Sequence, residues 1–281
     1  MLTVLLLILM LSLQAWHPLG CLEEERIALL HLKHSLNYPN GTSLPSWRIA
    51  HASCCSWESI ICDSSTGRVT ALDLGRVRSQ ELGDWYLNAS LFLPFQQLKV
   101  LSLHGNSIAG WVENKGFLDL MNLEYLDLSY NTLNNSIFQA IEIMTSLKTL
   151  KLEGCSLNGQ IPTTQGFLDL MNLEYLDLSY NTLNNSIFQA IGTMTSLKIL
   201  KLEGCNLNGQ IPTTQGFLNL KNLEYLDLSL NTLDNNILQS IGTMTSLKTL
   251  ILGSCKLDGQ IPTAQGKVDD SYSLSRLCTF Y

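Results

Sequence analysis

The sequence repeats itself with a period of fifty residues. Residues 116–165, 166–215 and 216–265 are three consecutive blocks, and the first two differ only at Glu142/Gly192, Ile143/Thr193, Thr149/Ile199 and Ser156/Asn206. Each block holds two shorter units of the pattern L-x-x-L-x-L-x-x-N/C-x-L, which begins at Leu98, Leu123, Leu147, Leu173, Leu197, Leu223 and Leu247. An earlier half-pattern at Val69, Leu72 and Leu74 brings the spacings to 24 to 29 residues. One such unit cannot bury its own leucines, so units must stack and stability must come from contacts between neighbours.

The pattern is that of leucine-rich repeats, and it predicts a solenoid with a parallel β-sheet on its concave face and an irregular or 3-10 convex side. In YLDLSYN, period-two alternation turns Leu126 and Leu128 inward and Tyr125, Asp127 and Ser129 outward. Asn106, Asn131, Cys155, Asn181, Cys205, Asn231 and Cys255 share one position, where the chain leaves the strand and its backbone groups lose their sheet partners. A buried amide satisfies both donors and acceptors there, whereas a thiol is a small apolar filler with a weak donor. The three ladder cysteines lie two coils apart, roughly 9 to 10 Å. That excludes a disulfide between them or a shared zinc site, and they are expected to be reduced.

The N-terminus sets the compartment. Leu2 to Leu13 carry no charge and read as the core of a secretory signal peptide, without a preceding Lys or Arg and with cleavage between Ala15 and Cys21. No later run reaches the roughly 20 apolar residues of a membrane span. A secreted chain suits four cysteines near its start, Cys21, Cys54, Cys55 and Cys62, as two disulfides; the residues alone permit three pairings. It also suits glycosylation at the N-x-S/T sites Asn40, Asn88, Asn134 and Asn184. Leu29, Leu32 and Leu36 recur on one helical face behind the acidic run Glu23, Glu24 and Glu25, as a helical cap for the first coil would require. The expected division is a signal peptide (1–20), an N-terminal cap (21–68), a lead-in strand with about seven repeats (69–265), and a non-repeat tail (266–281).

Two further sets of residues carry a resemblance. LNGQIP at Leu157 and Leu207, with LDGQIP at Leu257, matches the plant-type repeat L-x-G-x-I-P. CLEEERIALLHLKHSL, SW, CCSWESIIC and GRVTALDL follow one another as in the N-terminal cap of plant extracellular leucine-rich-repeat proteins. Between Cys21 and Gln265 the chain resembles the ectodomains of plant receptor-like proteins, with receptor kinases and polygalacturonase inhibitors as relatives. The resemblance implies pairing of Cys21 with Cys54 and of Cys55 with Cys62. It also implies a secreted or cell-surface recognition module in defence or development, with a protein or peptide ligand and a co-receptor kinase as partners. The alternatives are a secreted inhibitor of a cell-wall-degrading enzyme and a fragment without activity of its own.

Other chemistry finds no support. A formal net charge of -7 argues against nucleic acid as a partner. There is no phosphate loop, nucleophile elbow, H-E-x-x-H or zinc-type cysteine spacing, and His31 and His34 lack companion ligands. Asp127 and Glu153 could pass for a carboxylate pair, but their equivalents recur along the chain as lattice positions do. The chain is therefore read as a non-enzyme without cofactor or metal. Across neighbouring strands the outward residues run Ser102, Asp127, Lys151, Asp177, Lys201, Asp227 and Ile251. With Tyr125, Tyr130, Tyr175, Tyr180 and Tyr225 beside them, they form the candidate binding platform, its core being Tyr125, Asp127, Lys151, Tyr175, Asp177, Lys201, Tyr225 and Asp227.

After Gln265 the next repeat does not arrive. GKVDDSYSLSRLCTFY follows instead, so the sequence reads as an ectodomain cut short before any membrane anchor. Leu247, Leu250, Leu252 and Leu257 are expected to lack a covering coil, with end-to-end association and a disulfide dimer through Cys278 as the consequence.

Overall fold

The computed structural model describes residues 21–49, 53–113, 120–141, 143–159, 170–209, 219–235, 237, 241, 244–255 and 257. The expected signal peptide and the tail with Cys278 lie outside the described residues.

A nine-stranded sheet runs through these residues, its strands in chain order. Ile60–Cys62 pairs antiparallel with the lead-in strand Val69–Asp73. Every later strand lies parallel to the one before it: Val100–Ser102, Tyr125–Asp127, Thr149–Lys151, Tyr175–Asp177, Ile199–Lys201, Tyr225–Asp227 and Thr249–Ile251, the strands of coils one to seven. Equivalent residues pair directly, so Leu101, Leu126, Leu150, Leu176, Leu200 and Leu226 form one fully buried column. Burial slackens at the far end. Leu197 and Leu202 are 0% exposed, whereas Leu247 is 5% and Leu252 and Leu257 are 9%.

The convex side carries 3-10 turns at Gln80–Leu82 and Ala89–Phe92, but coils two and four replace them with single α-helical turns, Ile137–Ile141 and Ile187–Ile191. Four of the five residues in each turn are buried, among them Phe138 and Phe188, which lets a wider turn fill these coils. Short parallel pairs line the flank, Asn158–Gly159 with Thr182–Leu183 and Asn208–Gly209 with Thr232–Leu233. Between coils two and three a side chain takes the place of the ladder. Asn135 donates to the Asn158 carbonyl at 2.7 Å and accepts from the Asn158 N–H at 3.2 Å.

The Asn and Cys positions divide their labour unequally. The Asn181 carbonyl oxygen accepts from the N–H groups of Cys155 and Leu157 in the preceding coil, at 3.1 and 3.0 Å. Its amide nitrogen donates to the carbonyls of Leu152 and Leu178, both at 2.8 Å. The thiol is more than filler, because Cys205 donates to that same Leu178 carbonyl at 3.1 Å, and Cys155 and Cys255 repeat the contact with Leu128 and Leu228. All three thiols are free and buried.

Burial pushes the Cys155 and Cys205 thiols up to about 12. A pKa raised on folding contributes stability that is complete below the unfolded value and is lost as pH rises through the folded one. Stability should therefore decline from about pH 9 towards pH 12, and serine at both positions should flatten that decline. At neutral pH, iodoacetamide should label these thiols only after unfolding. Labelling of the native chain at the rate of a free thiol would contradict the burial.

The cap helix Glu23–Asn37 lays Leu29, Leu32 and Leu36 on the open end of the leucine column, all fully buried. Its acidic run does not act as one solvated group. Glu23 is exposed and pairs with Arg26, while Glu25 is completely buried. The Glu25 carboxylate receives the Arg68 guanidinium at 2.8 Å and the Val69 N–H at 3.2 Å, which clamps the helix to the lead-in strand. Disulfides join Cys21 to Cys54 and Cys55 to Cys62. Trp47 stacks on Trp57 with ring centres 5.7 Å apart.

Candidate functional site

The concave sheet gathers the candidate residues in rows across the coils. Direct pairing aligns Ser102, Asp127, Lys151, Asp177, Lys201, Asp227 and Ile251 in a single row. A second row holds Val100, Tyr125, Thr149, Tyr175, Ile199, Tyr225 and Thr249. At strand spacing the tyrosines stand roughly 9.4–9.8 Å apart.

The row's acids and bases are not equally presented. Asp127, Asp177 and Asp227 are buried, at 8%, 4% and 8% exposure, although the alternation turns them outward. Each carboxylate accepts the N–H two residues ahead, in Ser129, Ser179 or Ser229, at 3.0 to 3.1 Å. Tyr125 and Tyr175 add their hydroxyls to Asp127 and Asp177 at 3.3 Å. These bonds hold the strand's exit and orient the tyrosine rings. Ser129, also turned outward, is buried by the same packing.

Tyrosine and lysine form the accessible part. The Lys151 ammonium lies 5.3 Å from the Tyr125 ring centre and 5.8 Å from that of Tyr175, and Lys201 lies 5.8 Å from Tyr175. Cations so placed over a ring are attracted by its quadrupole. Pairing with acids runs to one side only, Lys151 to Asp127 at 3.9 Å and Lys201 to Asp177 at 3.8 Å. Burial works against the charge on both lysines, but the neighbouring tyrosine hydroxyl and carboxylate outweigh it and raise their pKa above the ordinary lysine value. About a third of each lysine side chain is exposed (32% and 35%), so the platform stays cationic at these points.

Two features emerge only from side-chain geometry. The first is a cross-coil pair along one edge of the face. The Tyr130 hydroxyl donates to Glu153, and Tyr180 donates to Glu203 at 2.5 Å. Those carboxylates, by accepting the bonds, push both phenols up to about 12. Tyr130 and Tyr180 lie across Gly154 and Gly204, where an added Cβ would come within 3.1 Å of the ring. Both glycines adopt positive φ as well, so the position needs glycine twice over. The alternation of Tyr and Gly was the available signal. The second is the row before each strand, where Lys148, Lys198 and Lys248 pair with Glu124, Glu174 and Glu224 at 2.6 to 2.7 Å. Exposed pairs of this kind contribute about 0–1 kcal/mol each and chiefly set the charge pattern.

The glycosylation candidates fall away from this face. Asn40, Asn134 and Asn184 are exposed, and Asn88 is half-buried. The side-chain carbonyls of Asn88, Asn134 and Asn184 accept the N–H two residues ahead at 2.9 to 3.0 Å, so their carbonyl oxygens rather than their amide nitrogens are committed to the local turn.

Comparison with known proteins agrees with this geometry. A family model described as leucine rich repeat N-terminal domain matches residues 22–63, and leucine rich repeat models match residues 96–157, 172–194 and 219–242. Cuscuta receptor 1 of Solanum lycopersicum is 42% identical over 141 residues, covering 47% of this chain and 12% of that protein. Receptor-like protein 9b of Arabidopsis thaliana is 36% identical over 177 residues, covering 57% of this chain and 17% of that protein. The chain thus spans less than a fifth of the length of these curated relatives. Among solved structures, the Arabidopsis receptor kinase HAESA in complex with the peptide hormone IDA and the co-receptor SERK1 superposes with a TM-score of 0.59 at 27% identity. That likeness covers 84% of this chain and 46% of the HAESA chain.

Proposed function

We propose, from the premise that this chain is a leucine-rich-repeat protein resembling plant receptor-like ectodomains, that it is an extracellular recognition module whose concave sheet takes a peptide or protein ligand. The observation that carries this reading is the platform of half-buried tyrosines with partly exposed lysines between them, held in register by carboxylates that are themselves buried. Such groups are oriented before a ligand arrives, which lowers the ordering cost of binding. No described helix is long and apolar enough to cross a membrane, so signalling through this chain is assigned to a partner, with a co-receptor kinase as the candidate. The compartment is the apoplast or the cell surface, and the context is defence or development.

The test is selection of peptides from a random library on the full chain, followed by binding to variants. Tyr175→Ala and Lys201→Ala should each weaken the selected peptides roughly tenfold, the loss typical of an interface anchor, without moving the unfolding midpoint. Peptides insensitive to both substitutions would place recognition on another face.

A further inference from the structure

We infer that the concave sheet is built for a basic, proline-rich peptide in the polyproline II conformation; the inference rests on the recognition role proposed above. Its basis is the doubled period of the face. Neighbouring coils differ in what they present: Tyr130 stands beside Gly154 and Tyr125 beside Thr149. The same environment returns only every second coil, about 9.4–9.8 Å along the sheet. A polyproline II helix repeats every three residues at about 3.1 Å each, or roughly 9.3 Å. An extended β-peptide repeats at about 6.6–6.8 Å, out of phase with the platform at the first step. Only the former lets successive side chains meet Tyr125, Tyr175 and Tyr225 in the same way.

Charge follows the same step. One period adds Glu124, Asp127 and Glu153 against Lys148 and Lys151, and the next repeats the set fifty residues on. Each two-coil step therefore carries one net negative charge. One cationic residue per turn of the peptide matches it in both sign and spacing. A turn would then set one proline in the groove between successive tyrosines, where stiff polyproline helices suit aromatic walls. It would direct one Arg or Lys towards Glu153 or Glu203 and leave its third residue in solvent. Both glutamates are only partly covered and recur at the required separation.

The test uses fluorescence anisotropy on the full chain with labelled synthetic peptides. The probe is five repeats of Pro-Pro-Arg. Its controls are a peptide of equal composition with arginines alternately two and four residues apart, five repeats of Gly-Gly-Arg, and five repeats of Pro-Pro-Glu. The probe should bind roughly tenfold more tightly than each control, and the double variant Glu153→Gln with Glu203→Gln should remove most of that advantage. Equal affinity of the three arginine peptides would reduce the effect to charge alone and overturn the inference. So would failure of all four peptides to bind. If a library-selected peptide then binds and is weakened by Tyr175→Ala, the recognition role stands without the polyproline ligand; if no peptide responds to Tyr175→Ala, both fall.

Discussion

Replacing Asn181 by alanine should lower the free energy of unfolding by about 4 kcal/mol, several times the effect of removing the thiol one coil on. The Asn181 side chain is the acceptor for two buried backbone donors, Cys155 N–H and Leu157 N–H. It is also a donor to the Leu152 carbonyl in the coil before it. Alanine leaves these groups in the core without water, at about 1–3 kcal/mol for each one orphaned. Cys205→Ala differs in kind. The Leu178 carbonyl that receives the Cys205 thiol also receives the Asn181 amide, so it keeps a partner. Loss of one small buried side chain should cost about 1 kcal/mol. Urea unfolding followed by circular dichroism on the two single variants separates the cases. Equal destabilisation would mean that thiol and amide are interchangeable in this ladder.

The second large effect is expected at Arg78, a buried cation with 5% exposure. Its guanidinium donates to the carbonyls of Leu36 and Tyr38 at the end of the cap helix, both at 2.9 Å, and to those of Leu82 and Gly83 at 3.0 and 3.3 Å. Burial lowers its pKa, but guanidinium starts so far above neutrality that the group stays charged. A cation at a helix C-terminus also meets the negative end of the macrodipole. Arg78→Met removes the planar fork that serves four carbonyls at once. It should cost about 3–5 kcal/mol, the range seen when a buried charged group loses its partner. Arg78→Lys should recover only part of this, because an ammonium cannot reach both pairs of carbonyls. Hydrogen exchange should place the loss in the cap helix and the lead-in coil. A uniform loss of protection along all coils would show that Arg78 does not act as a local clasp.

Neither effect was equally legible beforehand. The Asn position stood out because it recurs with the repeat, and its need for a two-way hydrogen-bonding side chain followed from the chain leaving the sheet there. Arg78 gave no such signal. It occurs once, and the carbonyls it serves at Leu36 and Tyr38 are 42 and 40 residues away. Glu25 was readable as an N-terminal helix carboxylate, yet its partner Arg68 lies 43 residues on and out of phase with any repeat. On the concave face the rows were visible, but their exposure was not. Asp127 and Asp177 are turned outward by alternation and still buried, because their carboxylates fold back onto the next turn of backbone.

The sequence by itself determined the solenoid, the strand order and the rows of residues across the sheet. In a stacked repeat, each residue's nearest neighbour is its equivalent one unit away, so aligning the units gives the register directly. Tertiary structure alone decided which outward groups are accessible, and that the thiols act as second donors to carbonyls already bonded. It also decided that Tyr130 reaches across to Glu153 and that the cap is clasped by Glu25 and Arg78. Those outcomes depend on side-chain rotamers and on contacts made once in the chain, and a repeating pattern carries no information about either.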